Sequence, residues 1–233
     1  MRSGSERAGD RPEPPAHRAG FRPRFGTAGV QGSRRYRRAH GVRTAKQPGR
    51  GFRAGGRAGL AIVAKALRRG RPVLGVVRDP ARHSALAALG EGVTVVAGDL
   101  TDSDSVTAVL PDEVAALVNA VTPFTAPPES FENFDPDYYV RLVENLAKAA
   151  RGSRVIEIGL AAWQEQAAMD WLVVTPPPGL SLEAPTTGEY RIAGDVLDSQ
   201  AAAIPLSYAD LATAVLDQID QPTMSRQQVT VYR

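Results

Sequence analysis

The strongest constraint in this sequence is a regular exchange of two textures: between residues 57 and 175, short apolar runs alternate with amphipathic stretches. Parallel strands joined by crossover helices require that spacing, and few other architectures accept it. The periodicity predicts a helix over residues 57–69 (RAGLAIVAKALRR), with Leu60, Val63, Ala64 and Leu67 on its apolar face, a basic last turn, and Gly70 closing it. Residues 72–77 (PVLGVV) are a continuous apolar run of the kind a strand covered on both faces carries. After Asp79-Pro80 a helix is expected to residue 89, then a strand at 93–97 and a helix over 103–110 capped by Thr101 or Asp102. A strand at 114–120, a Pro-rich loop, a helix at 137–150, a strand at 154–158, a short helix at 161–168 and a strand at 171–175 complete the alternation. Residues 188–192 (GEYRI) read as an edge strand, 207–219 as a helix opened by Ser207 and Asp210, and 228–232 as a last strand. The expected fold class is therefore α/β: a doubly wound, mainly parallel Rossmann-type sheet with a small C-terminal, substrate-side addition.

Upstream the texture is different. Residues 1–53 are dominated by Arg, Gly, Pro and Ala, with isolated Phe21, Phe25 and Tyr36 and no apolar period. The reading is a disordered basic segment over 1–53 followed by one domain over 54–233, with residues 46–52 (KQPGRGF) forming no strand. Charge divides the same way. Residues 1–57 hold 15 basic against 3 acidic side chains, a net of +12, and the remainder holds 13 against 22, a net of −9. An acidic body is not a nucleic-acid surface, whereas a basic tail could hold nucleic acid or an acidic partner. The abundance of residues with GC-rich codons also fits a misread frame joined to a true domain.

The absence of cysteine excludes disulfides, thiolate metal sites and a cysteine nucleophile, and His17, His40 and His83 are too scattered in sequence to suggest a metal cluster. No apolar run is long enough to span a bilayer, and no hydrophobic region follows Arg2, Arg7 and Arg11, so a cytoplasmic protein without membrane contact is expected.

The chemistry is expected at the ends of the strands. Gly55-Gly56-Arg57-Ala58-Gly59 precedes the first helix, where a glycine turn lets a pyrophosphate reach backbone N–H groups; it also reads as one more Gly/Arg stretch of the tail. Arg78 follows the strand expected at 72–77, where a guanidinium suits a ribose 2′-phosphate and an acidic residue would suit a free 2′-OH; this points to NADP(H) rather than NAD(H), with a solvated turn arginine as the alternative. Asp99, beside Leu100, can accept a hydrogen bond from an adenine amino group, and Asn119-Ala120 end the next strand at the sheet edge where ligands collect. Phe124, Phe131 and Phe134 are candidates for an apolar lid, or for ordinary loop anchors.

Residues 56–233 resemble the atypical short-chain dehydrogenase/reductases of the NAD(P)H-binding, NmrA-like group, in particular bacterial proteins of the NADH-flavin reductase type. The resemblance lies in GRAGLAIVAKALRRG, VVRDPAR, VTVVAGDLTD, DWLVVTPPPGL, GEYRIAGD, IPLSYAD and the VTVYR ending. It implies that Gly56, Arg57, Gly59, Arg78, Asp99, Leu100, Asn119 and Ala120 line a cofactor groove, with Pro176 and Pro177 near the nicotinamide end. It also implies hydride transfer from NADPH to a small acceptor such as a flavin or quinone, or an NADP-sensing regulator without turnover. Three departures stand out. Arg53 occupies the first glycine position of Gly-x-x-Gly-x-x-Gly, with no apolar strand ahead of it; the stretch from Gly159 to Trp171 is short; and Leu142 and Val143 stand where a Tyr-x-x-x-Lys pair would need its lysine, counting from Tyr138 and Tyr139. Loss of the central strand would make the chain a defective copy. No catalytic residue is assigned; Tyr138, Tyr139 and Tyr190 are proton donors by type.

Overall fold

A computed structural model describes residues 34–35, 49–52, 54–110, 114–122, 135, 137–150, 152–159, 169–195 and 199–233. In chain order the strands are β1 (Arg34–Arg35), β2 (Gly49–Phe52), β3 (Val73–Val77), β4 (Val93–Ala97), β5 (Ala116–Asn119), β6 (Arg154–Ile158), β7 (Trp171–Thr175), β8 (Leu180–Ser181), β9 (Arg191–Ala193), β10 (Leu206–Ser207) and β11 (Gln227–Tyr232). The helices are α1 (Arg57–Arg68), α2 (Ser84–Ala87), α3 (Ser103–Val109), α4 (Tyr138–Ala149), α5 (Ser199–Ala202) and α6 (Tyr208–Asp220).

Among the described residues, nine strands form one sheet in the order β1-β9-β11-β7-β6-β5-β2-β3-β4, parallel except where β9 pairs antiparallel with β11 and β1. Read from the β4 edge, the order runs inward to β2, then jumps to β5 and continues outward, which is the doubly wound Rossmann-type arrangement. Successive side chains of a strand serve opposite faces, and the sheet has two cores accordingly. Ile156, Leu172 and Val174 join Ile62, Val63 and Ala66 of α1 and Leu211, Val215 and Leu216 of α6. On the other face Leu117, Val155 and Val173 join Val106 of α3 and Leu142, Val143 and Leu146 of α4. Each such fully buried aliphatic side chain contributes about 1.5–3 kcal/mol.

The apolar face of α1 is wider than the sequence reading. Its buried residues are Gly59, Ile62, Val63 and Ala66, whereas Leu60, Ala64 and Leu67 are half-buried. The helix is wedged between the sheet and α6, so two sides of it are covered. It closes as expected at Gly70, whose φ is +69°: Gly70 N–H donates to the Leu67 carbonyl and Arg71 N–H to the Ala66 carbonyl, the paired bonds of a Schellman cap.

The reading of residues 46–52 as no strand is corrected. Gly49–Phe52 is a strand and lies at the centre of the sheet, Gly51 opposite Gly75 of β3 on one side and Val118 of β5 on the other. Two glycines and an arginine give this stretch little strand propensity, and main-chain pairing on both edges supplies what propensity does not. The basic stretch also contributes β1, paired through Arg34 and Arg35 with Ile192 and Arg191 at the far edge. Two strands of the sheet therefore lie upstream of residue 54.

The expected helix between residues 80 and 89 is broken into a 3-10 turn, Pro80–Arg82, and the single turn of α2, because His83 between them takes φ −128°, ψ 42°. The strand expected at 188–192 is β9, which begins three residues later and ends one later, and it is not an edge strand, because β1 pairs along its outer side. Its first residues are drawn into a loop whose Gly188 has φ +75° and whose Thr187 and Gly188 N–H groups both donate to Asp210. The expected short helix at 161–168 and the three loop phenylalanines lie outside the described residues.

Candidate cofactor site

At the carboxyl ends of β2, β3, β4 and β5, on either side of the point where the strand order reverses, the structure holds a cleft of about 900 Å³. Four connections build it. The turn after β2 gives Gly55 and Gly56; the segment after β3 gives Arg78, Asp79, Arg82 and His83; the loop after β4 gives Gly98, Asp99, Leu100 and Thr101; and the exit from β5 gives Val121 and Thr122. Tyr138, first residue of α4, stands at the rim.

The glycine turn opens α1 without a side-chain cap: Gly56 is the N-cap, with φ −79° and ψ 170°, and the first intrahelical bond runs from Leu60 N–H to the Gly56 carbonyl. The amides of the first helical turn therefore have no acceptor within the helix, and the helix dipole adds partial positive charge there. The helix carries no acidic residue in that turn to compete for them.

After β3, Arg78 and Arg82 are both exposed on the cleft, spaced by the Pro80–Arg82 turn. Among the described residues no carboxylate pairs with either. The neighbouring acid, Asp79, is occupied locally: its Oδ1 accepts from Ala81 N–H at 3.0 Å and so caps the turn. Two guanidiniums facing one tethered carboxylate leave the end of β3 electropositive.

Asp99 reaches the cleft, but its Oδ1 already accepts from the Thr101 N–H at 2.9 Å and the Thr101 hydroxyl at 2.7 Å, while its own N–H donates to Ser105 Oγ. Of the two candidate helix caps, Asp102 is the one used; its carboxylate accepts from Asp104 N–H. Leu100 forms part of the cleft floor, and its carbonyl accepts from Asn145 of α4, which fixes the loop's height above the sheet.

The structure thus brings together Gly56, Arg78, Asp99 and Leu100. Arg57 is exposed at the head of α1 and Gly59 is buried in it; neither lines the cleft. Asn119 is fully buried behind the wall, where Nδ2 donates to Glu157 Oε2 at 2.6 Å and Oδ1 accepts from Val121 N–H at 3.1 Å. It holds the β5 exit rather than facing the cleft. Ala120 is half-buried beside it, and Pro176 and Pro177 follow β7 outside the lining. Among the tyrosines, Tyr190 is buried and donates to Asp217 of α6, remote from the cleft; Tyr139 donates to Thr122 at 3.4 Å and packs edge-on against Tyr138.

Sequence reasoning missed Arg82, His83 and the Asn119–Glu157 pair. The spacing of Arg82 to Arg78 across Pro80 was available as a signal, since a turn there returns both side chains to one side. Nothing in the spacing of Gly55 and His83, or of Asn119 and Glu157, announces their contact.

Residues 54–165 match the NAD(P)H-binding family. No curated protein matches the chain. Among solved structures, a protein of Bacteroides thetaiotaomicron provisionally named an epimerase aligns with a TM-score of 0.65 at 20% identity, over 81% of this chain and 97% of that one. A Streptococcus pneumoniae protein provisionally named an NADH-flavin reductase aligns with a TM-score of 0.61 at 17% identity, over 80% and 99%. A short-chain dehydrogenase/reductase of Veillonella parvula in complex with NADP aligns with a TM-score of 0.61 at 10% identity, over 80% and 94%. At these identities the alignments establish the Rossmann-type fold.

Proposed function

We propose that this chain, whose residues 54–165 form an NAD(P)H-binding domain consistent with the atypical short-chain dehydrogenase/reductase, NmrA-like group, binds NADP(H) in the cleft and reduces a small acceptor such as a flavin or quinone. The observation that carries the cofactor reading is the pair of guanidiniums, Arg78 and Arg82, on the cleft wall at the end of β3. A planar guanidinium donates two parallel hydrogen bonds to a phosphate, and two of them match a dianion. The lining fits a dinucleotide: backbone amides at the head of α1 would hold the pyrophosphate, the arginines the 2′-phosphate, and apolar Leu100 and Val76 would offer surface to the adenosine. When bound, the nicotinamide supplies the hydride; the protein's part is placement. Thr122 and Tyr138 also line the cleft, where they would help to orient a bound nicotinamide and to shield it from water.

Titration with NADPH and NADH, followed by cofactor fluorescence and thermal shift, tests the reading. Micromolar NADPH binding is expected, with Arg78→Ala weakening NADPH by about tenfold or more and NADH little. Equal affinity for both cofactors would replace the NADP(H) assignment with a non-selective one, and binding of neither would remove the cofactor assignment. Consumption of bound NADPH with a flavin or quinone marks a reductase; binding without turnover marks an NADP-sensing regulator.

A further inference from the structure

Gly55 and His83 are 28 positions apart in sequence and in contact in the fold. A Cβ built on Gly55 would lie 2.1 Å from His83 Nδ1, 2.5 Å from Cγ and 2.7 Å from Cε1. The imidazole therefore occupies the space that the side chain of any other residue at position 55 would need, and lies directly on the glycine turn. Its backbone is fixed there from both sides: His83 N–H donates to the Pro80 carbonyl at 3.1 Å, and its carbonyl accepts from Leu86 N–H at 2.9 Å. Although His83 stands at the N-cap of α2, its side chain makes no capping hydrogen bond. Among the described residues the ring nitrogens have no hydrogen-bond partner, and the half-buried ring shares the cleft with Arg78 and Arg82.

An imidazole held by packing, with its polar atoms unspent, between a turn of backbone amides and two guanidiniums is placed to donate an N–H to an anion. We propose that His83 is a phosphate ligand of the dinucleotide, and that glycine at position 55 serves to admit its ring. This assignment rests on the cofactor reading above. Either the 2′-phosphate or the pyrophosphate could supply the oxygen His83 meets. The two are told apart by cofactor, because NADH carries only the second.

The test compares the full chain with His83→Ala, His83→Gln and Gly55→Ala, measuring dissociation constants for NADPH and NADH by fluorescence and the melting temperature without ligand. His83→Ala is expected to weaken NADPH about tenfold, the usual scale for one hydrogen bond to a charged group. His83→Gln, which keeps an N–H donor, should recover most of that loss. Gly55→Ala should weaken binding by displacing the ring while leaving His83 present. Loss confined to NADPH places the contact at the 2′-phosphate, and equal loss for both cofactors places it at the pyrophosphate. As a direct readout, the imidazole Cε1–H resonance of His83, identified among three histidines by its absence in His83→Ala, should shift on addition of NADP. Wild-type binding that His83→Ala changes less than twofold, even with a lowered melting temperature, would overturn the proposal and leave the cofactor reading intact. Failure of the wild-type chain to bind either cofactor would overturn both.

Discussion

Asn119 and Glu157 face each other across β5 and β6 at directly paired positions, both buried, joined by a 2.6 Å hydrogen bond. A carboxylate taken out of water costs free energy unless its oxygens are occupied, so Asn119 offsets part of that cost while its own Oδ1 holds Val121 N–H at the cleft. Asn119→Ala is expected to destabilise the fold by about 1–3 kcal/mol, read as a lower urea midpoint, and to loosen the β5 exit; an unchanged midpoint would show that the pair is energetically neutral. Gly75 is constrained in a different way. A Cβ there would meet Leu86 Cδ2 at 2.8 Å and Ala54 Cβ at 3.1 Å, so α2 and the glycine turn approach the sheet only because β3 carries no side chain at that point.

At the scale of elements, Asp210 ties the loop that leads into β9 to the start of α6. From the first turn of α6 it accepts from Ser207 Oγ, Thr187 N–H and Oγ1, and Gly188 N–H, with no exposed surface of its own. Asp210→Ala strands those donors, and a loss of about 2–4 kcal/mol in thermal or urea unfolding is expected, with increased proteolysis between residues 182 and 190. The entry to α4 is held more weakly. There the Arg141 guanidinium, and then the Asp137 N–H, hold the Asp135 carboxyl below its ordinary value of 3.8. A carboxyl lowered in the folded state contributes stability above its unfolded value and loses it as pH falls through the folded one. The small advantage of wild type over Asp135→Asn at pH 7 should therefore begin to shrink below about pH 4, disappear as pH falls through the lowered folded value, and shrink in high salt, because both side chains are exposed. A difference that acidification leaves unchanged would point to another cause.

For the whole molecule the charge division matters most. The stretch ending at residue 57 has a net charge of +12 on a remainder of −9, and its two described strands, β1 and β2, join the sheet. A polyanion would meet this stretch and be repelled by the rest. Replacing Arg37, Arg38, Arg43 and Lys46 with Gln, which leaves both strands untouched, is expected to lower the salt needed for elution from DNA and to reduce the slope of log affinity against log salt by up to about 3–4. An unchanged slope would mean that these four side chains contact no phosphate. Among the described residues no helix is long and apolar enough to cross a membrane.

The sequence by itself determined the alternation, and with it the sheet. Residues 93–97, 154–158 and 171–175 are strands at the bounds that periodicity assigns, and Gly70 and Ser207 close and open helices where their backbone chemistry requires. It also placed Arg78 at the end of β3 and Asp99 after β4, because strand ends in a parallel sheet are set by the strands. Tertiary structure decided what local signals do not carry. Gly49–Phe52 becomes the central strand because two neighbours supply main-chain partners, although the residues themselves lack a strand's pattern. Asn119 turns inward because Glu157 lies opposite, and His83 reaches the cleft because a helix that sequence would continue breaks there and lays its ring on Gly55. Periodicity is a property of neighbours along the chain, whereas these contacts join residues brought together only when the sheet closes.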